Sequence, residues 1–428
     1  MISEILKGNL TEKEVEIKGW IHNKRSSGSI VFFIIRDGSG IIQAVGKKDE
    51  LKNFEEIEKL TLESSIKIKG IVKKEERAPG GYEVEIKEMN ILQRADEDFP
   101  FMRKHKFNVN FIMKNRHLWL RSEKMFKVLT IRSEVIQQIR NWFLENGYKE
   151  FQSPIFVSGA CEGGSTLFEV NYFGRKAYLT QSWQLYAEAA IFSLGKIFTI
   201  APSFRAEKSK TRRHLTEYWH VEAEIPFCGL DDLLKEEESL VCYVCNKIGE
   251  KFENWLKEFG RDAKYLKGLS PPFPRIKYKE AIEILQNKNV NIQYGNDLGA
   301  DEEKILTQEF ETPFFVTHFP KGIKAFYHKI DRENPNVTLS ADLLAPEGYG
   351  EIIGSGERED NYQILKKRVE EEGLSVKEYK WYLDLRRYGS VQHSGFGLGL
   401  ERFIMWICKL KHIRETIAFP RLIGKIHF

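Results

Sequence analysis

Through the first ninety residues, hydrophobic side chains come in short alternating runs separated by turn residues. This is the pattern of half-buried strands rather than helices. Val15, Ile17 and residues 19–21 open the series. Residues 30–35 and 41–45 follow, split by the hairpin turn Asp37-Gly38-Ser39-Gly40. Residues 48–60 change period, with Leu51, Phe54, Ile57 and Leu60 three apart, which predicts a helix. Two more strands are expected at 66–72 and 84–92, joined through Pro79-Gly80-Gly81. Three strands, a helix and two strands suit a five-stranded OB barrel, whose open face binds oligonucleotides. A small β domain with no ligand shares the same order.

Beyond this point the pattern loosens. Residues 94–115 are charged and irregular and contain Pro100, so 96–116 reads as a linker between a domain at 1–95 and another at 117–428. In the second domain helical periods alternate with apolar strands. Ile131, Val135, Ile139 and Phe143 share a helix face that ends at Gly147, and 148–153 reads as a strand stopped by Pro154. Between 230 and 259, Leu234, Val241, Val244, Ile248, Phe252 and Trp255 keep helical spacing. Cys242 and Cys245 in that stretch are therefore buried helix residues rather than half of a metal site.

Composition narrows the class. The 428 residues are 42% hydrophobic and 30% charged, enough for two cores in a soluble protein. No apolar run reaches bilayer length, and five cysteines do not make a disulfide framework. The start, Met1-Ile2-Ser3-Glu4, has the pattern of neither a signal peptide nor a transit sequence, so a cytoplasmic protein with no membrane segment is expected. A net charge of +4 does not announce nucleic acid. Phosphate contacts must come from local clusters, and residues 103–106 (RKHK) and 208–214 (KSKTRRH) are the two present.

Two stretches offer chemistry. Phe204-Arg205-Ala206-Glu207 leads through Arg212-Arg213-His214 to Glu217, ahead of a strand at 218–224. Guanidinium groups bind phosphates bidentately and a carboxylate accepts from an adenine amine, so this loop can grip a nucleotide. A solvated basic loop would carry the same residues. Gly395-Phe396-Gly397-Leu398-Gly399-Leu400-Glu401-Arg402 enters a helix with Phe403, Ile404 and Ile407. Its glycines allow a backbone to approach a ligand or a neighbouring strand closely. The stretch lacks the last glycine and the βαβ setting of a dinucleotide fingerprint, and it has no P-loop lysine.

Taken in order, the 131–154, 204–224 and 395–407 blocks resemble motifs 1, 2 and 3 of the class II aminoacyl-tRNA synthetases. With an OB domain in front, nearly the whole chain resembles the aspartyl/asparaginyl/lysyl subgroup, and most of all the short asparaginyl-tRNA synthetases of archaea. The resemblance implies an α+β protein, with an N-terminal OB-fold anticodon-binding domain and a catalytic domain of antiparallel sheet flanked by helices. It implies a homodimer built on motif 1, ATP as substrate, Mg2+, and asparagine–tRNA ligase activity. In that reaction the asparagine carboxylate attacks the α-phosphorus of ATP, expelling pyrophosphate. The terminal ribose of tRNA(Asn) then takes the amino acid from asparaginyl-AMP.

Residue by residue, the resemblance makes Arg205 and Arg402 catalytic. Arg205 meets the α-phosphate and the amino-acid carboxylate, Glu207 the adenine, His214 the outer phosphates and Arg402 the ATP tail; Arg213 belongs to the same ATP-binding set. Asp342 and Glu351, in ADLLAPEGYGE, match acids that hold magnesium between phosphates, a hard cation suited to oxygen ligands. Arg25, Phe32, Gln43 and Glu83 match anticodon readers, where an aromatic ring stacks a base and a glutamine both donates and accepts. Periodicity alone would make Phe32 a barrel core residue.

The choice of amino acid turns on the side-chain pocket. An aspartate pocket needs a cation where an asparagine pocket needs an acceptor. In Gln181-Ser182-Trp183-Gln184-Leu185-Tyr186-Ala187, Ala187 stands where aspartyl relatives carry a lysine that binds the carboxylate. Glu222 replaces their aspartate and can accept from an amide, while Arg358 meets the side-chain oxygen. Glu162 matches the acid that meets the α-ammonium, and Gln184 lines the same pocket. Asparagine is the expected substrate. Two positions depart from the family pattern: Gly354 lacks a hydroxyl found in aspartyl relatives, and Trp183 is bulkier than its counterparts. The competing expectations are an aspartate–tRNA ligase that charges both tRNAs, an ATP-dependent asparagine synthetase, and a non-catalytic RNA-binding module.

Overall fold

The computed structural model describes residues 1–101, 107–161, 166–208 and 211–426. They form two compact units, Met1–Asn115 and Arg116–Phe428.

In the first unit, five strands close into a barrel in the order β1-β2-β3-β5-β4. They are β1 (Glu14–Ser27), β2 (Ile30–Asp37), β3 (Gly40–Lys47), β4 (Ser65–Lys74) and β5 (Tyr82–Gln93). Alternation decides which side chains fill it: Val31, Phe33 and Ile35 of β2 are fully buried, as are Ile17 and Ile21 of β1. Phe32 therefore points outward and is only half-buried, which corrects its reading as a core residue. The helix expected over 48–60 is a single turn, Phe54–Glu58. Leu51, Phe54, Ile57 and Leu60 are nonetheless all buried in the barrel core. The three-residue spacing encoded burial, not helix length. Part of the expected linker is also helical, at Val109–Lys114, where the Asn108 side chain accepts from Phe111 N. The basic cluster at 103–106 lies outside the described residues.

The second unit is built on an eight-stranded sheet with order β12-β13-β14-β15-β16-β11-β10-β6. Its strands are β6 (Lys149–Glu150), β10 (Ile197–Phe204), β11 (Glu217–Pro226), β12 (Arg275–Lys277), β13 (Phe314–Thr317), β14 (Ser340–Ala345), β15 (Gly350–Glu357) and β16 (His393–Gly399). A small sheet β7-β9-β8 is made by β7 (Phe156–Val157), β8 (Glu169–Tyr172) and β9 (Arg175–Leu179). Pairing is antiparallel from β13 to β10, as expected, and parallel only at the two edges, β12–β13 and β10–β6. Helix Glu123–Glu145, capped by Ser122, buries Val128, Ile131, Val135, Ile139 and Phe143. The Phe143 ring stacks on Phe198 with centroids 4.3 Å apart, fixing this helix against the sheet. The expected strand at 148–153 shrinks to β6 because only its first residues pair with β10. The long helix expected over 230–259 breaks at Phe252 into Leu230–Lys251 and Glu253–Glu258. Within it Cys245 is buried and Cys242 half-buried, and both are free thiols. Among the described residues no helix is long and apolar enough to cross a membrane.

A two-lobed candidate active site

Four central strands of the large sheet, β14, β15, β16 and β11, carry a cavity with two lobes. One lobe is walled by Arg205, Glu207, Arg213, His214, Tyr218 and Arg402. The other is walled by Gln184, Glu222, Glu224, Lys324, Asp342 and Arg358 among others. Arg205, His220, Glu351 and Gly397 belong to both. Residues far apart in the chain thus meet because β11 and β16 are neighbours in register, Glu222 opposite Gly397.

The glycines of β15 and β16 make the room. A Cβ on Gly397 would come within 2.4 Å of His220 Nε2, and one on Gly395 within 1.9 Å of Glu224 Oε2. They accommodate side chains from β11 and Arg358 rather than a ligand's approach to backbone.

In the first lobe the cations are held by acids rather than left loose. Arg402 Nη1 donates to Glu351 Oε2 at 2.9 Å, and its Nη2 lies 3.5 Å from His214 Nε2. Arg213 pairs with Glu303 at 2.7 Å, and Glu303 also accepts from Glu351 N at 2.6 Å. Arg213 is buried, and its Nε and Nη1 have no hydrogen-bond partner; Nη1 packs against Gly350, where an added Cβ would lie 2.1 Å from it. Arg205 lies over the Tyr218 ring at 5.7 Å and 3.9 Å from Glu207. Burial, then Arg402 and Arg213, push the His214 imidazole down to about 4. The ring is therefore neutral at pH 7. Burial would raise Glu351, but Arg402 and Lys324 outweigh it and hold the carboxyl at about 2.

Where the lobes meet, Asp342 and Glu351 converge over Gly354. A Cβ placed there would lie 3.4 Å from Glu351 Oε1 and 3.7 Å from Asp342 Oδ1. Gly354 thus leaves the space between the two acids open, which gives its departure from the family pattern a physical meaning. Lys324 Nζ donates to both oxygens of Asp342 at 2.7 and 2.8 Å. Burial and the neighbouring Glu351 still push Asp342 up to about 7 against this lysine, as expected of acids gathered where a cation is wanted.

In the second lobe Glu222 sits at the start of helix Gln184–Leu194. Its oxygens accept from the Ser182 hydroxyl and from Trp183 N at 3.0 Å. Burial favours the neutral acid, but His220 and these donors hold it below the ordinary range. Arg358 donates from Nε and Nη2 to Glu224, both at 3.0 Å. Gln184 lines the cavity and donates from Nε2 to Glu188 at 3.0 Å. Ala187 does not reach the cavity wall. It is fully buried in an apolar cluster with Trp183, Ile191 and Ile197. The large Trp183 ring, one helical turn earlier, takes up that space and donates from Nε1 to Phe151 O at 2.9 Å. A lysine at 187 would compete with it for volume. Glu162 lies outside the described residues.

Lys324, Glu303, Glu188, Glu224 and His220 escaped the sequence reading. None has a spacing that sets it apart from its neighbours in the chain, and only the fold brings Lys324, Glu303, Glu224 and His220 to the cavity and Glu188 behind Gln184.

On the outer face of the barrel, Arg25 and Phe32 are register partners across β1 and β2, with the guanidinium 4.7 Å from the ring centroid. Gln43 and Glu83 are partners across β3 and β5, with Gln43 Nε2 donating to Glu83 at 2.8 Å. All four expected anticodon readers therefore lie on strands of this barrel.

Residues 108–423 match the family model described as tRNA synthetases class II (D, K and N), and residues 15–92 match the OB-fold nucleic acid binding domain. The chain belongs to the class II tRNA synthetases. Among similar proteins, the asparagine–tRNA ligase of Thermococcus gammatolerans is 50% identical over 423 residues, which is 99% of this chain and 98% of that protein. The asparaginyl-tRNA synthetase of Pyrococcus horikoshii, solved in complex with asparaginyl-adenylate, matches with a TM-score of 0.94 and 49% identity. The match covers 98% of this synthetase chain and 97% of that one. The Entamoeba histolytica asparaginyl-tRNA synthetase gives 0.92 and 36%, covering 99% and 98%.

Proposed function

We propose that this synthetase is an asparagine–tRNA ligase: it forms asparaginyl-AMP from asparagine and ATP and passes the asparagine to tRNA(Asn). The observation that carries this reading is the junction of the two lobes, where Arg205, His220 and Glu351 would face both the nucleotide phosphates and the amino acid. Full-length similarity to ligases of that name supports it.

The second lobe favours a neutral side chain. Arg358 is already balanced by Glu224, and Glu222 adds a negative charge. An amide can place its oxygen on the remaining N–H groups of Arg358 and its NH2 toward an acceptor. A second carboxylate oxygen would meet like charge. The aspartate reading lacks the cation that it needs at position 187, where Ala187 is small and turned away, and Lys324 on the same wall is engaged by both oxygens of Asp342. Glu222→Gln is expected to narrow the preference for asparagine over aspartate in ATP–pyrophosphate exchange about tenfold, roughly one lost charge-assisted contact. An unchanged ratio would remove Glu222 from that role.

In the mechanism, Arg205 binds the phosphates, Arg213 adds positive charge to the wall of the same lobe, and Arg402 holds the tail of a bent triphosphate. With both substrates fixed, the asparagine carboxylate stands in line with the α-phosphorus, and most of the acceleration comes from positioning and charge. Asp342 and Glu351 fit magnesium, because two hard oxygen donors face one open space over Gly354. When bound, the ion would neutralise charge on the phosphates. His214 acts as a neutral partner in this site. His214 is accordingly expected to add no step to the pH dependence of ATP binding between about pH 6 and 8, with its ring titrating near pH 4 in an NMR titration.

In the barrel, Phe32 would stack a base of the anticodon while Gln43 and Glu83 read edges. Phe32→Ala should raise the KM for tRNA about tenfold and leave pyrophosphate exchange untouched, in line with a loss of 1–3 kcal/mol per stacked base. A tRNA partner supports a cytoplasmic reaction. A homodimer is supported by the exposed apolar residues that follow Pro154: Ile155, Phe156, Tyr172 and Phe173, the last 92% exposed. Phe173→Asp is expected to shift sedimentation from dimer to monomer, and a wild-type monomer would end the dimer reading.

A further inference from the structure

Behind the second lobe lies a buried polar group that the adenylation chemistry does not use. The carboxylate of Glu188, fully buried, accepts from Tyr382 Oη at 2.8 Å on each oxygen. It also accepts from Arg386 Nη2 at 2.5 Å, and His393 Nε2 lies 3.1 Å away. Its remaining contact is Gln184 Nε2 at 3.0 Å. Glu188, Glu224 and His393 bring ligand-type atoms within 4.8 Å of one another, but a metal has no vacancy there. Arg386 on Glu188 and Arg358 on Glu224 already supply the positive charge. Burial is the largest influence and favours the neutral acid, but Arg386, His393 and Arg358 together outweigh it, so Glu188 stays ionised well below the usual carboxylate range.

An ionised carboxylate only accepts hydrogen bonds. The amide of Gln184 must therefore turn its NH2 to Glu188, whichever way it would otherwise rotate. Its carbonyl oxygen is then the end left for the cavity that Gln184 lines. We propose that Glu188 is a positioning residue that fixes the Gln184 amide, so that this part of the wall offers the substrate an acceptor and never a donor. The inference rests on the asparagine reading of the lobe and deepens it. An acceptor at this point suits the α-ammonium or side-chain NH2 of asparagine and disfavours a second carboxylate oxygen. A free amide could rotate and serve either substrate; one locked from behind cannot. Selectivity would then depend on a side chain that never touches the amino acid.

Glu188→Gln removes the compulsion, because an amide at 188 can donate to Gln184 as well as accept from it. The expected result is an asparagine KM raised about tenfold, a KM for ATP within about twofold of wild type, and an asparagine-to-aspartate ratio reduced about tenfold. If Glu188 is only a scaffold for Arg386, Tm will fall while the asparagine KM and the ratio stay put, and the proposal is overturned. If Glu188→Gln does not fold, Gln184→Glu tests the same point. Its new carboxyl faces the anion of Glu188, with Arg386 and Tyr382 behind it, His393 from β16, Glu224 from β11 and Arg358 following β15. Next to that buried anion it should stay protonated at pH 6, donating to Glu188 and presenting its carbonyl as the amide does. The asparagine KM should then be near wild type at about pH 6 and climb at least about tenfold by pH 8.5, while wild type stays flat. A pH-independent KM in that variant overturns the proposal. Failure of wild type to exchange pyrophosphate with asparagine would instead strike the asparagine reading itself.

Discussion

Arg402→Leu should cut asparagine-dependent ATP–pyrophosphate exchange about a thousandfold, with the asparagine KM moving far less. The guanidinium, carried on the first turn of the helix Leu400–Ile407 that follows β16, donates to Glu351 and neighbours His214. Leucine keeps much of the bulk and removes the charge. The phosphate tail then loses a fixed cation in a buried site, where one preorganised donor is worth about two to three orders of magnitude. Glu351 also loses its main partner and is left facing Asp342 across the gap above Gly354. A residual rate within about tenfold of wild type would mean that the triphosphate does not lie against this arginine.

Arg358→Leu carries the second large effect, and it combines stability with function. Arg358 and Glu224 are both buried and joined by two hydrogen bonds of 3.0 Å. Removing one partner leaves an uncompensated carboxylate in the core, which costs about 3–5 kcal/mol. Chemical denaturation should register that loss, and asparagine activation should fall with it. The double variant Arg358→Leu, Glu224→Leu separates the two. Stability should largely return because no lone charge remains buried, whereas asparagine activation should not. Recovery of both together would show that Arg358 supports the fold without meeting the amino acid.

Periodicity made much of this architecture readable. The five strands of the barrel, the helix before β6 and the glycine strand with its helix follow from residue spacing, because burial imposes a period on any element with one wet face. The failures have the same physical root. Leu51 and Leu60 are buried without being helical, since a turn can also deliver a side chain to a core. Phe32 is apolar yet outward, since alternation with Val31 and Phe33 leaves it no inward position. Individual site residues such as Arg205, Glu351 and Arg402 were within reach because they sit in recognisable local blocks. Lys324 and Glu303 were not, for their meaning comes only from Asp342 and Arg213, on other elements. The direction of the Gln184 amide is further still from the sequence, since it depends on what stands behind a side chain one helical turn away.

Gly395 and Gly397 shape the lobe by what they lack, and this inverts the usual logic of mutational tolerance. Trimming side chains cannot test such positions; only growth can, and a single added methyl group would strike Glu224 or His220. Efforts to redirect this enzyme toward other amino acids would therefore find one wall closed to variation. Any new specificity has to be carved from the opposite side, on β11 and helix Gln184–Leu194, with β15 and β16 kept bare.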